Sequence, residues 1–208
     1  MLLVPAPAPH ATSVTFSCED LHRLTEEVVA AWRSGAGLDW SVRAGTLEWS
    51  CARTADHAID TVLAPAFFLA SRKRDGYPDY GVSTPGEGAR PETLIEGLVT
   101  ASEILTAVVA AAPPEARAVI WRRPQLEVRG REDFVPRAAL ELSLHAHDIC
   151  AGLGVAFAPS ADLCERLREH TASWPMWDPG GPWGPLTMAG EPWADLLSAS
   201  GRRPLRPS

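Results

Sequence analysis

Residues 137–148 read RAALELSLHAHD, and within this stretch Arg137, Glu141, His145 and Asp148 recur at intervals of four, four and three. At about 100° per residue these four side chains fall in a stripe roughly 80° wide, while Leu140, Leu142, Leu144 and Ile149 lie largely outside it. The segment therefore predicts an apolar helix with one polar stripe. Glu141 and His145 are one turn apart, about 6 Å along the axis, so a carboxylate oxygen and an imidazole nitrogen can converge on one point.

A divalent metal ion suits that point, because a buried carboxylate is expensive unless paired and a neutral imidazole offers a lone pair. A third ligand has to come from a facing helix, and His57 is the histidine set centrally in another long predicted helix. Asp148 can accept a hydrogen bond from an imidazole that ligates the ion, and Arg137 can neutralise Glu141 or steer an anionic ligand. The bland alternative stays open on spacing alone: a Glu and a His four apart also occur as a solvated pair worth a few tenths of a kcal/mol. His147 lies about 200° around the helix from His145 and should face elsewhere. His10, His22 and His170 fall in a tail or near helix ends and receive no role.

The elements that must position these residues follow from capping and periodicity. Ser17 can cap a first helix with Glu19 and Asp20 in its first turn, and Gly35 ends that helix. Ser50 caps a second helix running to about residue 72, with His57 inside it and Ala55, Ala58, Ile59, Val62 and Leu63 as its apolar face. Residues 74–89 read as an irregular loop able to border a cavity. Pro91 opens a third helix to about residue 112, where Pro113 and Pro114 stop it. Residues 119–128 look extended. A fourth helix is expected after Pro136 to about residue 151, ended by Gly152 and Gly154, and a fifth over residues 160–171. A last helical turn or two fits residues 191–199. Trp174, Trp177 and Trp183 alternate with Pro and Gly in a stretch too irregular for a helix and too aromatic for water, which suggests a covering flap.

Composition sets the outer bounds. A chain of 208 residues suits one domain with appended segments, here a loose extension over 1–15, a helical body over 16–172 and a Trp/Pro-rich segment over 173–208. The net charge of -7 and pI of about 5.4 give no general attraction for nucleic acid, leaving a small molecule as the expected partner. Cys18, Cys51, Cys150 and Cys164 show no zinc-knuckle or disulfide spacing, so reduced thiols in a cytoplasm are expected. The apolar stretch over residues 61–70 is interrupted by Pro65 and falls short of the ~20 residues of a membrane span, so no membrane partner is expected.

The pattern LEWSCARTADHAID at residues 47–60, followed by R-x-x-x-E-x-x-x-H-x-x-D roughly eighty residues after His57, resembles the DinB-like metalloprotein superfamily. Within it, the pattern looks like the N-terminal domain of mycothiol-dependent maleylpyruvate isomerases, over residues 16–154. The resemblance implies an all-α, up-down-down-up four-helix bundle, with the Trp/Pro-rich segment as a C-terminal extension. It implies a divalent metal, usually zinc, on His57, Glu141 and His145, the same three residues carrying the catalysis. Two histidines and a carboxylate also accept nickel or ferrous iron. In the superfamily, mycothiol or bacillithiol fills the open coordination position as a nucleophile, which implies a thiol S-transferase or isomerase, and homodimers occur. The isomerases carry a further C-terminal α/β domain, whereas about fifty residues follow Gly154 here, so the bundle and the triad carry over rather than the isomerisation itself. The rival expectations are a thiol-independent metal enzyme, using activated water or a chelated substrate for hydrolysis, elimination or a tailoring step, and a bundle that binds metal or a small molecule without turnover.

Overall fold

The computed structural model describes residues 15–78 and 88–205. Most of the described chain is helical: α1 (Cys18–Ser34), α2 (Cys51–Ser71), α3 (Pro91–Ala111), α4 (Phe134–Leu153), α5 (Ala161–Thr171) and α6 (Pro192–Ala199). One antiparallel hairpin interrupts the helices, β1 (Arg117–Trp121) with β2 (Glu127–Gly130), so the extended segment expected from sequence is two strands and a turn. The expected extension over residues 1–15 lies, except for Thr15, outside the described residues, as does most of the loop expected to border a cavity.

Capping fixes where the helices start. The Ser17 hydroxyl accepts from the Asp20 amide at 3.2 Å while the Asp20 carboxylate accepts from the Ser17 amide at 2.9 Å, a reciprocal cap that satisfies two otherwise unpaired N–H groups. The Ser50 hydroxyl accepts from the Arg53 amide in the same way and starts α2. Helix α2 continues through Pro65, which removes one intrahelical donor. Helix α4 starts at Phe134 rather than after Pro136, three residues earlier than expected, with Pro136 in its first turn, where a missing N–H leaves no bond unmade.

Helix α1 packs on α3 and α4, and α2 packs on the same two helices. Helices α2 and α4 are both rich in buried alanine, Ala52, Ala55, Ala58 and Ala66 on one and Ala138, Ala139 and Ala146 on the other, which permits close backbone approach. Helix α3 is more apolar than the stretch singled out from sequence. Its best 18-residue window has a mean hydropathy of 1.7, long and apolar enough by composition to cross a bilayer. The same composition serves a core helix, and Leu94, Ile95, Leu98, Ala101 and Leu105 are buried.

The later segments share the one hydrophobic core. Trp174, Met176, Trp177, Leu196 and Leu197 are buried in it together with residues of α1 to α4. The Trp177 indole N–H donates to the Thr171 carbonyl at 2.9 Å, satisfying its polar atom. His170 ties three segments: its Nδ1 accepts from the Phe16 amide at 3.3 Å and its Nε2 lies 2.8 Å from the Asp133 carboxylate.

Gly152 was expected to end α4. Instead it lies inside the helix, which closes one residue before Gly154 in the left-handed conformation, φ 69°. The role of Gly152 is close approach: a Cβ there would stand 2.2 Å from the Arg43 carbonyl oxygen and 2.7 Å from Cys51 Sγ. The loop between α1 and α2 thus lies against the α4 backbone. Replacing Gly152 by Ala forces that loop away and is expected to destabilise by about 1–3 kcal/mol or more. Gly37→Ala, with open space around the position, should change urea stability little; equal midpoints for the two variants would refute the packing role.

Candidate functional site

Three of the sequence-chosen residues meet between α2 and α4. The His57 ring, from the middle of α2, contacts the His145 ring with centroids 5.0 Å apart and planes at 74°. His145 Nε2 lies 3.6 Å from Glu141 Oε2, one turn earlier on α4. The other ring nitrogen, Nδ1, faces Asp148 Oδ2 at 3.5 Å. Side-chain exposure grades from 22 % at Glu141 through 11 % at His145 to 4 % at Asp148, so the cluster opens towards Glu141 and is sealed behind His145.

Arg137 sits on the same stripe of α4, but its Nε donates to the Ile120 carbonyl at 2.9 Å. The hairpin thereby fixes its guanidinium near the site, where its positive charge acts on His57. Asp148 has a partner the sequence did not reveal: Arg202, beyond α6, grips both carboxylate oxygens, Nε to Oδ1 at 2.9 Å and Nη2 to Oδ2 at 2.7 Å. His147 faces away from the stripe, as expected, and its Nε2–H donates to the Arg203 carbonyl at 2.9 Å. The site also has an aromatic flank. Trp49 meets His57 edge-on at 5.2 Å, and the Arg53 guanidinium lies 4.7 Å over the Trp49 ring. The spacing of four between Trp49, Arg53 and His57 was a readable signal for this flank.

The two kinds of titratable group are driven in opposite directions. Burial lowers the His57 pKa, and the nearby His145 charge lowers it further, against smaller opposing effects of Glu141 and Asp60. His57 is therefore a neutral imidazole with a free lone pair at neutral pH. Burial would raise the Asp148 pKa, but the interaction with His145 and the Arg202 hydrogen bonds and charge together outweigh it and hold the carboxyl below the usual range. The chain's own thiols are the reverse of activated. Burial pushes Cys51 up to about 11, and Cys150 and Cys164 up to about 12, so they stay protonated and are poor nucleophiles.

Among the described residues no group of three or more His, Cys, Asp or Glu side chains is gathered as a ready-made metal site. Two observations bear on whether an ion would fit. Donors each about 2.1 Å from a tetrahedral ion stand about 3.4 Å apart, close to the 3.6 Å between His145 Nε2 and Glu141 Oε2. His145 Nδ1 is buried without a hydrogen-bond partner, poised 3.5 Å from Asp148. As donor types, two imidazoles and a carboxylate suit a divalent ion, while the His57 and His145 rings stand edge to face at 74° and share no centre in this arrangement.

Trp177 and Trp183 pack on each other, with ring centroids 5.0 Å apart, and Trp174 packs against Trp121 and His170. His22 lies 3.2 Å from the Thr106 hydroxyl. Whether the loop after α2 borders the site turns on residues 79–87, outside the described residues; Tyr77, just before them, stacks on Phe68 at 4.1 Å. Compared with known proteins, the chain matches no family model, no curated protein and no solved structure.

His147, behind the stripe, gives the fold a pH signature. Burial lowers its pKa below 6.5 despite the opposing Arg203 hydrogen bond and Asp148 charge. The unfolded chain then binds the proton more readily, so the stabilisation is complete above 6.5 and is lost as pH falls through the lower folded value. His57 acts with the same sign. Urea midpoints should fall as pH drops below 6.5, and His147→Gln, which keeps a donor for the Arg203 carbonyl, should flatten the profile; an unchanged slope would show that His147 titrates normally.

Proposed function

We propose that this chain is a divalent-metal-dependent enzyme of the DinB-like kind. In this reading His57, Glu141 and His145 hold the ion, with zinc preferred and nickel or ferrous iron as alternatives. The observation that carries the reading is the meeting of a neutral His57 on α2 with the Glu141–His145 pair on α4, at 5.0 Å between rings and 3.6 Å between nitrogen and carboxylate. Supporting it, each of α1 and α2 touches both α3 and α4, contacts compatible with the up-down-down-up four-helix bundle that the reading supposes.

Bound there, the ion would act as a Lewis acid that lowers the pKa of an exchangeable thiol or water. The protein's own side chains do the rest. Glu141 and the two imidazoles would supply three ligands and leave a coordination position open, the arrangement of catalytic sites. Asp148, 3.5 Å from His145 Nδ1, would orient the His145 ring, and Arg137 lends positive charge that can orient an anionic group. The chain's raised thiol pKa values leave the nucleophile to be brought in. We assign that part to a low-molecular-weight thiol of the mycothiol type, transferred to or used to isomerise a small electrophile in the cytoplasm, by a monomer or a homodimer.

Protein purified without chelator should carry close to one divalent ion per chain by elemental analysis. Glu141→Ala should lose it while keeping its helical circular dichroism. Mycothiol with monochlorobimane should give conjugate with the metal-replete protein and none with Glu141→Ala. A wild-type chain free of metal, and unable to take it up, would end the reading. Metal binding without conjugate would shift the assignment to a thiol-independent metal enzyme or a non-catalytic binding bundle.

A further inference from the structure

The last described residues do more than trail from α6. Helix α6 ends at Ala199, Gly201 turns the chain in the left-handed conformation at φ 78°, and the Arg202 amide donates back to the Leu197 carbonyl at 2.7 Å. This turn delivers Arg202 onto Asp148 as a two-point clamp and sets the Arg203 carbonyl on His147. Both grips fall on α4, at the positions two and three residues after His145. Side-chain exposures of 13 % for Arg202 and 4 % for Asp148 put the clamp largely out of water, where the fork of a guanidinium matches a carboxylate in orientation as well as charge.

We propose that Arg202 is a positioning residue of the site, acting on His145 through Asp148. The proposal rests on the metal reading given above. His145 can hold an ion through Nε2 only if its proton sits on Nδ1, and the one acidic oxygen facing Nδ1 among the described residues is Asp148 Oδ2 at 3.5 Å. Asp148 without Arg202 has freedom to move, because a cavity of about 350 Å³, lined by Gly45, Thr46, His147, Asp148, Ala151 and Arg202 among others, lies beside it. With both oxygens held, Oδ2 stays aimed at Nδ1, the ring keeps one tautomer, and the Nε2 lone pair keeps facing Glu141. The segment after α6, far from His57 in sequence, thus sets the ligand geometry of α4.

The test uses full-length protein with Arg202→Ala, Arg202→Lys and, as a control, Arg203→Ala, whose backbone carbonyl is untouched. Nitrogen-15 imidazole spectra of the metal-free proteins read the His145 tautomer directly. Wild type and Arg203→Ala should hold the Nδ1–H form, Arg202→Ala should populate both, and Arg202→Lys should recover part of the bias. Cobalt titration followed by visible absorption should show affinity reduced about 10- to 100-fold in Arg202→Ala, with methylguanidinium restoring part of the loss. A folded Arg202→Ala that keeps the Nδ1–H form and wild-type cobalt affinity overturns the proposal. Should Arg202→Ala not fold, Arg202→Lys decides it by the same two readouts. A wild type that binds no cobalt defeats the metal reading alone, since the tautomer spectra still show whether Arg202 fixes the ring.

Discussion

The structure turns on one constraint: α4 carries carboxylates and imidazoles into the middle of the fold, and every one of them has to be compensated there. A buried charge without a partner costs several kcal/mol, more than a small domain can absorb at several positions together. Asp148 is compensated by Arg202, His147 by the Arg203 carbonyl, and Arg137 by the Ile120 carbonyl. Glu141 and His145 face each other at 3.6 Å with the His57 ring beside them. This is the part of the stripe on which the proposed metal reading rests.

The rest of the fold can be understood as what α4 needs around it. Alanine-rich α2 approaches closely enough to set His57 beside His145. The hairpin anchors the start of α4 through Arg137, the loop before α2 fits against Gly152, and the turn after α6 clamps Asp148. Each contact joins α4 to another segment of the chain, so losing any one of them would loosen the site without touching His57, Glu141 or His145. This also explains why the Trp-rich stretch is buried: Trp174 and Trp177 hold the path from α5 to α6 in the common core, and that path determines where Arg202 arrives.

Electrostatics divides the labour among chemically similar groups. His57 is held neutral by burial and by the neighbouring imidazole, which keeps its lone pair free, whereas Asp148 is held anionic by His145 and Arg202 in spite of deeper burial. Cys51, Cys150 and Cys164, buried without any positive partner to offset desolvation, stay as thiols and serve as packing. The same burial therefore makes one group a ready donor and another inert, the difference being the charge placed beside it.

Local rules wrote much of this into the chain. Ser17 and Ser50 caps, Pro91, and the three-and-four spacing of Glu141, His145 and Asp148 determined the helices and put the polar stripe on one face, because capping and periodicity act over a few residues. What only tertiary packing decided was which distant groups meet that stripe. The burial of α3, the packing role of Gly152, and above all Arg202 closing on Asp148 across fifty-four residues depend on how helices stack and where a turn delivers the chain. An arginine near the end of a sequence looks like any solvated charge until the fold takes the water away from it.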